Sequence, residues 1–394
     1  MADDVVIVGA VRTPIGSFLG QLSGVPAPRL GAAAVKACVE RAGVAPAAVD
    51  QVILGNVLQA GQGQAPARQA TIHAGLPDTV PSVTLHKVCG SGMRSVMMAA
   101  NDIRCGDGEV MVAGGMESMS QAPYLLPAAR TGMRMGNGQA LDHMVFDGLW
   151  DPYGDKHMGN CAETCARHYS FTREEQDEYA RLSYQRAIKA TEEGWFADEV
   201  VPFEIPAKKG APVRVERDEE PFKADLSKMA GLRPAFDKEG TVTAANASKI
   251  NDGAAALVVT SAARAAREGW KPLARIVAHA GVAQQPEWFT TAPVGAIRRA
   301  LERAGMGLDA IDLFEVNEAF AAVALVAERE LGIPRERLNV HGGAVALGHP
   351  IGASGARILV TLVHALLRRR MRFGCAGICI GGGEATAMVI ENLA

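Results

Sequence analysis

The segment around Cys89 has the composition of a nucleophile at the start of a helix. Cys89 stands between Val88 and Gly90, just before an apolar helical stretch, Met93–Ala100. The positive end of a helix dipole favours a thiolate there, and the neighbouring glycines allow a sharp turn that presents the sulfur to a substrate. A small buried cysteine in a strand–helix turn would have the same sequence. The segment therefore leaves two interpretations, a reactive thiol and a core residue.

A histidine lies between two glycine clusters near the other end of the chain. His349 is followed by Pro350, with glycines at 342, 343 and 348 before it and at 352 and 355 after it. Because proline fixes its own backbone φ, we expect this histidine to be held rigidly. An imidazole in that position can take a proton from a thiol and return it. A histidine that only caps a turn is the structural alternative, but the glycine density favours a site.

Two further segments place polar groups after predicted strands. Cys379 ends an apolar run and is followed by Gly381, whose amide can approach and stabilise an oxyanion. Asn317 follows the predicted strand Ile311–Phe314 and precedes the helical stretch Ala319–Glu330. Taken alone, the segment of Cys379 and Gly381 also fits a glycine-rich turn between two strands. In the same way, Asn317 also fits a simple helix cap. Strand–helix junctions meet at one edge of an α/β sheet, so we expect the two cysteines, the histidine and the asparagine to lie together.

Short apolar runs alternate with amphipathic stretches, which predicts an α/β fold. The clearest predicted strands are Val5–Val8, Gln51–Leu54 and Val110–Ala113, and the clearest predicted helices are Leu30–Ala42 and Gly92–Cys105. The Glu-Arg-Ala-Gly run at 40–43 returns at 302–305, and Ser91-Gly92 returns as Ser354-Gly355. Ordered matches at a nearly constant offset indicate two similar halves. The alternative is chance similarity between two alanine-rich helices.

A region of different composition separates the two halves. Residues 120–155 are rich in Met, Gly and Pro, which predicts extended loops, and residues 172–194 have the charge pattern of an exposed helix. We predict an N-terminal half formed by 1–119 together with about 248–270, and a C-terminal half formed by 271–394. Between them, 120–247 is predicted to be an inserted loop domain that provides substrate contacts.

The composition is that of a globular protein with little net charge. The 394 residues are 48% hydrophobic, and 40 Lys+Arg stand against 43 Asp+Glu. This balance argues against a general nucleic-acid binder, and no uninterrupted apolar run reaches the ~18–20 residues of a membrane span. Seven scattered cysteines without a CxxC pair argue against a disulfide framework or a structural zinc site. The acidic N-terminus has no signal-like segment, so we expect a cytoplasmic protein.

With these segments in place, the sequence resembles the thiolases over essentially its whole length. The resemblance rests on Cys-Gly-Ser-Gly at 89–92, Asn-Glu-Ala-Phe-Ala at 317–321, Gly-His-Pro-Ile-Gly-Ala-Ser-Gly at 348–355 and Cys-Ile-Gly-Gly-Gly at 379–383, with further matches at 11–16, 114–120 and 251–256. Within the family, the chain is most similar to the biosynthetic branch. The resemblance implies two similar βαβαβαββ halves, packed as a layered α/β/α/β/α core with an inserted loop domain.

The resemblance implies an acyltransferase that condenses two acetyl-CoA molecules reversibly to acetoacetyl-CoA and CoA by ping-pong transfer. Cys89 would take the acetyl group as a thioester, and His349 would activate Cys89 and bind the thioester oxygen. Cys379 would be the acid/base that moves the α-proton of the second acetyl-CoA. Asn317 would position a water in one oxyanion hole, and the amides of Cys89 and Gly381 would form the other. This chemistry requires no metal or redox cofactor.

The resemblance also implies a set of residues that bind CoA. They are Leu149, His157, Met158, Lys223, Phe236, Ala244, Ser248, Phe289, Ala319 and Phe320. Lys223 would serve the adenine-ribose end, although a solvated surface explains it equally well. A subset of the family binds potassium through backbone carbonyls, which implies a potassium ion near Tyr184, Ala244, Ala245, Ala247 and Val345.

Three positions depart from the family's usual residues. His86 and His341 stand where asparagine is usual, and we interpret them as tolerated substitutions that can change loop hydrogen bonding or the response to pH. Trp288-Phe289 stands where Met-Gly is frequent in short-chain enzymes. These aromatic rings either close the acyl pocket or reshape it for a branched chain.

Two alternatives to the biosynthetic function stay open. A degradative 3-ketoacyl-CoA thiolase of broader chain length would use the same residues in a wider pocket. A catalytically idle, thiolase-like scaffold subunit would lack Cys89, His349 or Cys379, and all three are present. The resemblance also implies a homo-oligomer, a dimer of dimers in which the loop-rich segment 121–141 links the dimers into a homotetramer.

Overall fold

A computed structural model of the chain describes residues 4–207 and 210–394, and this part contains sixteen strands and ten α-helices. The strands are β1 (Val5–Arg12), β2 (Gly16–Ser17), β3 (Gln51–Gly55), β4 (Ser82–Leu85), β5 (Val110–Ser118), β6 (Tyr124–Leu125), β7 (Leu141–Asp142), β8 (Trp150–Asp151), β9 (Lys156–His157), β10 (Phe203–Ile205), β11 (Val213–Val215), β12 (Asn251–Ser261), β13 (Ala274–Ala283), β14 (Leu313–Val316), β15 (Phe373–Ile380) and β16 (Glu384–Asn392). The α-helices are α1 (Ala27–Arg41), α2 (Pro66–His73), α3 (Ser91–Cys105), α4 (Met158–Tyr169), α5 (Arg173–Glu192), α6 (Ala262–Glu268), α7 (Ala292–Ala304), α8 (Ala321–Leu331), α9 (Ala344–Leu347) and α10 (Ile351–Arg369).

Ten of the strands form one mixed sheet with two similar parts. Along the sheet the order is β4-β3-β5-β12-β1 for the N-terminal part and β13-β16-β15-β14 for the C-terminal part, with β2 beside β12. Each part has a parallel outer section, β4-β3-β5 in the first and β15-β14 in the second, and antiparallel pairs next to it. Within the sheet, the two parts are joined by the short pairing of β1 with β13.

Helices cover the two parts of the sheet in three layers. The helices α1 and α2 pack on the outer face of the N-terminal part, and α7 and α8 pack on the outer face of the C-terminal part. Between the two parts lie α3 and α10, which pack against each other and against strands of the sheet. A cluster of buried apolar residues from both helices and both parts of the sheet fills this middle layer. The arrangement confirms the predicted α/β/α/β/α fold, because each sheet face is apolar and must be covered.

The middle helix α10 is unusually apolar for its length. By length and composition it would suit a membrane span, but 83% of that stretch is buried inside the fold. Its apolar sequence is explained by the middle layer, where a helix is surrounded on all sides.

The region between the halves contains more regular structure than its composition predicts. Three two-stranded pairs, β6-β7, β8-β9 and β10-β11, occur there, together with α4 and α5. The predicted charged helix is α5, which begins with a capping box between Thr172 and Glu175. The proposed boundaries of this inserted domain at 120 and 247 stay a prediction.

Candidate active site

A cavity of about 210 Å³ lies at the strand–helix junctions of the two halves. Its lining is mostly apolar and consists of Cys89, Met119, Gly148, Leu149, His157, Met158, Phe236, Ala247, Ser248, Lys249, Ile250, Phe289, Ala319, Phe320, His349, Ile351 and Gly381. Three of the predicted catalytic residues therefore share one cavity with most of the predicted binding residues. Such a pocket, apolar with a few polar groups, is typical of a small-molecule site.

Cys89 is presented by a strained loop between β4 and α3. The preceding residue, Val88, has φ +43°, a left-handed conformation that a β-branched residue rarely adopts. Ser91 holds the loop, because its hydroxyl donates to the Val88 carbonyl (2.7 Å) and accepts from the Lys87 amide (2.8 Å). The strain sets the position of the half-buried Cys89 side chain at the cavity wall.

The expected thiolate at Cys89 is not supported by the electrostatics of the free enzyme. Loss of solvation raises the pKa of Cys89 to about 11, although the N–H groups of Gly381 and of Cys89 itself lower it in part. Desolvation thus outweighs these N–H groups, and the pKa is raised rather than lowered as the helix-dipole argument predicted. The resting form is a neutral thiol that requires a base, and the two N–H groups are directed at its sulfur.

His349 is fixed at its backbone and at one ring nitrogen. Its amide donates to Asn251 Oδ1 (2.9 Å), and its Nδ1 lies 2.6 Å from Ser354 Oγ. Since the Ser354 hydroxyl donates to the Pro350 carbonyl (2.9 Å), Nδ1 carries the proton and Nε2 has a free lone pair. Nε2 is buried and has no hydrogen-bond partner within residues 4–207 and 210–394. Burial and then the charge of Arg357 lower the pKa of His349 to about 3, so the ring is neutral at physiological pH.

Asn317 and Cys379 are not in the cavity lining; Asn317 follows the last residue of β14, and Cys379 is the penultimate residue of the parallel neighbour β15. Asn317 Nδ2 is 3.4 Å from His349 Nδ1, and Asn317 Oδ1 is buried without a partner in the described part of the chain. The Cys379 thiol is fully buried. Burial raises its pKa well above the usual range, and a negative charge on Cys89 would raise it further. The two sulfurs are therefore close enough to influence each other electrostatically.

Sequence reasoning missed a buried carboxylate that joins the loops around the site. Glu117, at the end of β5, accepts hydrogen bonds from the amides of Val57 (3.0 Å), Leu58 (3.1 Å) and Gly352 (2.9 Å), and from Asn56 Nδ2 (2.7 Å). Burial raises the pKa of Glu117 to about 7. Gly352 is in the first turn of α10, so this carboxylate positions the helix that follows His349. The only signal was its place in the Gly114–Ser120 match to the thiolases.

The predicted CoA-binding residues fall into two groups. Eight of them line the cavity, namely Leu149, His157, Met158, Phe236, Ser248, Phe289, Ala319 and Phe320. The rings of His157 and Phe236 are stacked at 4.7 Å, and Phe289 meets Phe320 edge-on at 6.2 Å. The other two, Ala244 and Lys223, are not in the lining: Ala244 is exposed, and Lys223 is ion-paired with Glu219 beside a separate surface depression. Its assignment to the adenine-ribose end stays a prediction.

The residues assigned to potassium surround a lysine that sequence reasoning did not single out. Lys249 Nζ donates to the carbonyls of Ala244 (2.6 Å) and Ala247 (2.8 Å), and it lies 5.6 Å from the centre of the Tyr184 ring. The amide of Val345 donates to Glu318 (3.0 Å). Among the described residues, no group of three or more His, Cys, Asp or Glu side chains is arranged to hold a metal ion.

The two unusual histidines have different surroundings. His86 is exposed, and its Nδ1 accepts from the Val88 amide (3.3 Å) in the strained loop. His341 is buried, with its ring 5.1 Å from Trp195 and 5.9 Å from Phe196. Burial and three nearby arginines lower the pKa of His341 to about 3. Burial lowers the pKa of His86 as well, but the much larger fall at the buried His341 makes it the stronger candidate for a pH-sensitive contribution to stability.

The match to a known family extends over nearly the whole chain. Residues 5–263 match the N-terminal domain of thiolases and residues 270–392 match the C-terminal domain, so the chain belongs to the thiolase family.

More particular relatives share its full length. The chain is 53% identical to an acetyl-CoA acetyltransferase of Pseudomonas aeruginosa and 54% identical to one of Cupriavidus necator, in each case over 99% of both chains. The crystal structure of the Bacillus anthracis acetyl-CoA acetyltransferase superposes with a TM-score of 0.96 at 45% identity and covers 99% of both chains.

Proposed function

We propose that this chain is an acetyl-CoA C-acetyltransferase that condenses two acetyl-CoA molecules reversibly to acetoacetyl-CoA and CoA. The observation that carries the proposal is the cavity that Cys89, His349 and Gly381 line together, with Asn317 next to His349 and Cys379 within electrostatic reach of Cys89. Relatives that share half of its residues over their full length carry the name of this activity.

In the first half-reaction, Cys89 takes the acetyl group. The thiol proton moves to His349 Nε2, the sulfur bonds to the thioester carbon, and the carbon–sulfur bond to CoA breaks. The departing CoA sulfur takes a proton from Cys379. The amides of Cys89 and Gly381 donate to the thioester oxygen while it carries charge. The products are acetyl-Cys89, free CoA and a pair of opposite charges on His349 and Cys379.

Forming the two opposite charges together lowers the cost of charging two buried groups. An isolated imidazolium or an isolated thiolate is disfavoured here, because burial lowers the pKa of His349 and raises that of Cys379. When both charges form together in a low-dielectric site, their attraction offsets much of this cost.

In the second half-reaction, the Cys379 thiolate removes an α-proton from a second acetyl-CoA. The carbanion attacks the acetyl carbon of acetyl-Cys89, and a water held by Asn317 stabilises the enolate oxygen. The Cys89 sulfur leaves and regains its proton from His349. Every group returns to its starting state, and the sequence consumes no cofactor.

The mostly apolar lining suits the pantetheine arm of CoA and a short acyl group. Phe289 and Phe320 are 3% and 6% exposed, and their rings meet at the cavity wall. This contact limits the room for a longer acyl chain, which favours the biosynthetic reaction over degradative thiolysis of long chains.

The proposal also includes an assembly and a location. The β6-β7 region exposes Tyr124, Leu126, Met133 and Met135, with Met135 99% exposed. Exposed apolar side chains of this kind support self-association through the segment 121–141, as in a homotetramer.

All seven cysteines are unpaired, which supports a reducing compartment such as the cytoplasm. Light scattering on the purified protein and cell fractionation test these two points.

The deciding experiment is CoA-dependent cleavage of acetoacetyl-CoA beside 3-ketohexanoyl-, 3-ketodecanoyl- and 2-methylacetoacetyl-CoA. Preference for acetoacetyl-CoA is the expected result. Comparable cleavage of the longer chains would assign the chain to degradation, and no turnover of any substrate would favour a scaffold role.

A further inference from the structure

The cavity wall contains a lysine whose amino group is turned into the protein rather than toward solvent. Lys249 precedes β12 by two residues, and its ammonium donates to the carbonyls of Ala244 (2.6 Å) and Ala247 (2.8 Å). The Tyr184 ring flanks it at 5.6 Å. Three of the five residues that the family resemblance assigns to potassium are therefore in contact with one side chain of the chain itself.

The arrangement does not suit a potassium ion in the same place. A cation bound to the Ala244 and Ala247 carbonyls would lie within a few ångströms of the ammonium. Two like charges at that separation repel strongly at the effective dielectric of a protein surface. Two of the assigned oxygens are also already engaged by strong, charge-assisted hydrogen bonds.

Charges around Lys249 keep it protonated in the neutral range. Burial lowers the pKa of Lys249 to about 8, while Glu220 and Glu318 raise it in part. Glu318 is itself fixed by hydrogen bonds from Tyr179 (2.9 Å), Ser183 (2.8 Å) and the Val345 amide (3.0 Å). An ammonium at this point thus has both carbonyl acceptors and nearby carboxylates.

The segment that Lys249 binds forms part of the substrate cavity. Ala247 and Ser248 line the cavity, and the Ser248 amide donates to the carbonyl of Ala319 (2.9 Å), which also lines it. We propose that the Lys249 ammonium permanently takes the place of a potassium ion and orders this wall, so that substrate binding is independent of potassium. Lys249 is then a positioning residue. The expected change in KM rests on the proposed function, whereas the replacement of potassium by the ammonium does not.

The test compares the full-length protein with Lys249→Ala and Lys249→Met, in potassium chloride and in choline chloride at equal ionic strength. Thermal midpoints and the KM and kcat for acetoacetyl-CoA thiolysis are measured in both salts. Alanine opens the space that an ion can enter, whereas methionine fills it without charge. In choline, we expect both variants to show a KM raised ~10-fold, the effect of about one lost hydrogen bond to a charged group, and kcat changed less than ~3-fold. Potassium is expected to restore the KM and to raise the thermal midpoint of Lys249→Ala, but to do neither for Lys249→Met.

Wild type and the exposed Lys36→Ala variant, the control for loss of a lysine, are expected to respond equally to the two salts. Potassium activation of the wild type would overturn the proposal, as would an unchanged KM for Lys249→Ala in choline or equal rescue of Lys249→Met. If the wild type had no thiolase activity in either salt, the proposed function would fail instead. The salt response of the thermal midpoints would still decide whether Lys249 replaces the ion.

Discussion

Gly92 on α3 and Gly355 on α10 lie at the single point where the two middle helices cross. A Cβ atom on Gly92 would meet the backbone nitrogen of Ala356 at 2.7 Å, and a Cβ on Gly355 would overlap the backbone nitrogen of Met93. The two glycines are also partners in the internal repeat. The repeat therefore reflects a close backbone contact, and this contact sets the separation of Cys89 and His349 at the starts of the two helices.

Adding a methyl group at this crossing is expected to lower both stability and catalytic efficiency. In Gly355→Ala the new atom meets backbone that cannot move aside, so the helices must separate. We expect a loss of about 2 kcal/mol in the free energy of unfolding, as for overpacked cores, and a fall in kcat/KM of ~100-fold from misplaced catalytic groups. Urea unfolding and steady-state kinetics measure both effects. Gly295→Ala in α7 is the control, since its Cβ would have only ordinary contacts at 3.7 Å or more; equal losses in both variants would contradict the prediction.

The two cysteines of the site are expected to fail at different steps. Cys89→Ala removes the acyl acceptor, so intact-protein mass spectrometry should detect no acetyl-enzyme after incubation with acetyl-CoA. Cys379→Ala should still become acetylated, more slowly, but lose condensation by ~1,000-fold because no base removes the α-proton. The exposed Cys105 provides the control, and Cys105→Ala should behave as wild type. Full condensation activity in Cys379→Ala would disprove the two-cysteine mechanism.

The general fold and the catalytic cluster could be predicted because their signals are local. Reactive side chains at strand–helix junctions indicated one sheet edge, and the structure brings Cys89, His349 and Gly381 to one cavity. The strand predicted over Val110–Ala113 was too short, since β5 continues to Ser118. The glycine at 115 is compatible with a strand here because the first turn of α10 approaches the backbone at that point.

Features that depend on three-dimensional burial were not predictable from sequence. The dipole argument indicated a lowered pKa for Cys89, whereas desolvation, which only the fold reveals, raises it. Lys249 has the sequence context of an exposed loop lysine, and nothing in its neighbours shows that its ammonium reaches two carbonyls. Backbone acceptors have no side-chain signature, so such contacts become visible only in the folded chain.

The hydroxyl of Ser354 is expected to control the reactivity of Cys89 through the tautomer of His349. Ser354→Ala removes the acceptor of the Nδ1 proton, which leaves a buried donor unpaired and no longer favours a free Nε2. We expect kcat/KM to fall ~10- to 100-fold, the usual cost of such a buried group. The rate of Cys89 alkylation by iodoacetamide should fall in parallel, which a purely structural defect elsewhere would not require. An unchanged alkylation rate beside a lowered kcat/KM would argue against the assigned tautomer.

Phe289 is expected to limit the acyl chain. In Phe289→Leu the edge-on contact with Phe320 is lost and the wall recedes. Thiolysis of 3-ketohexanoyl-CoA and 2-methylacetoacetyl-CoA should rise ~10-fold or more relative to acetoacetyl-CoA, the discrimination that one or two methylene groups provide. The partly buried Phe373, at the opposite end of β15 from Cys379, gives the matched control Phe373→Leu. An unchanged preference in Phe289→Leu would mean that another residue sets the chain length.

Acid should destabilise the protein partly through His341. Its pKa is about 3 in the folded chain and about 6.5 when unfolded, so the unfolded state binds more protons between these values. This contribution to stability is complete above pH 6.5 and is lost as the pH falls, by about 2 kcal/mol between pH 6.5 and 5. In His341→Asn, the difference in unfolding free energy between pH 7.5 and 5.0, measured with urea, should shrink by about that amount. The exposed His168 supplies the control: His168→Asn should leave the difference unchanged, and an equal effect in both variants would show that burial of His341 is not the cause.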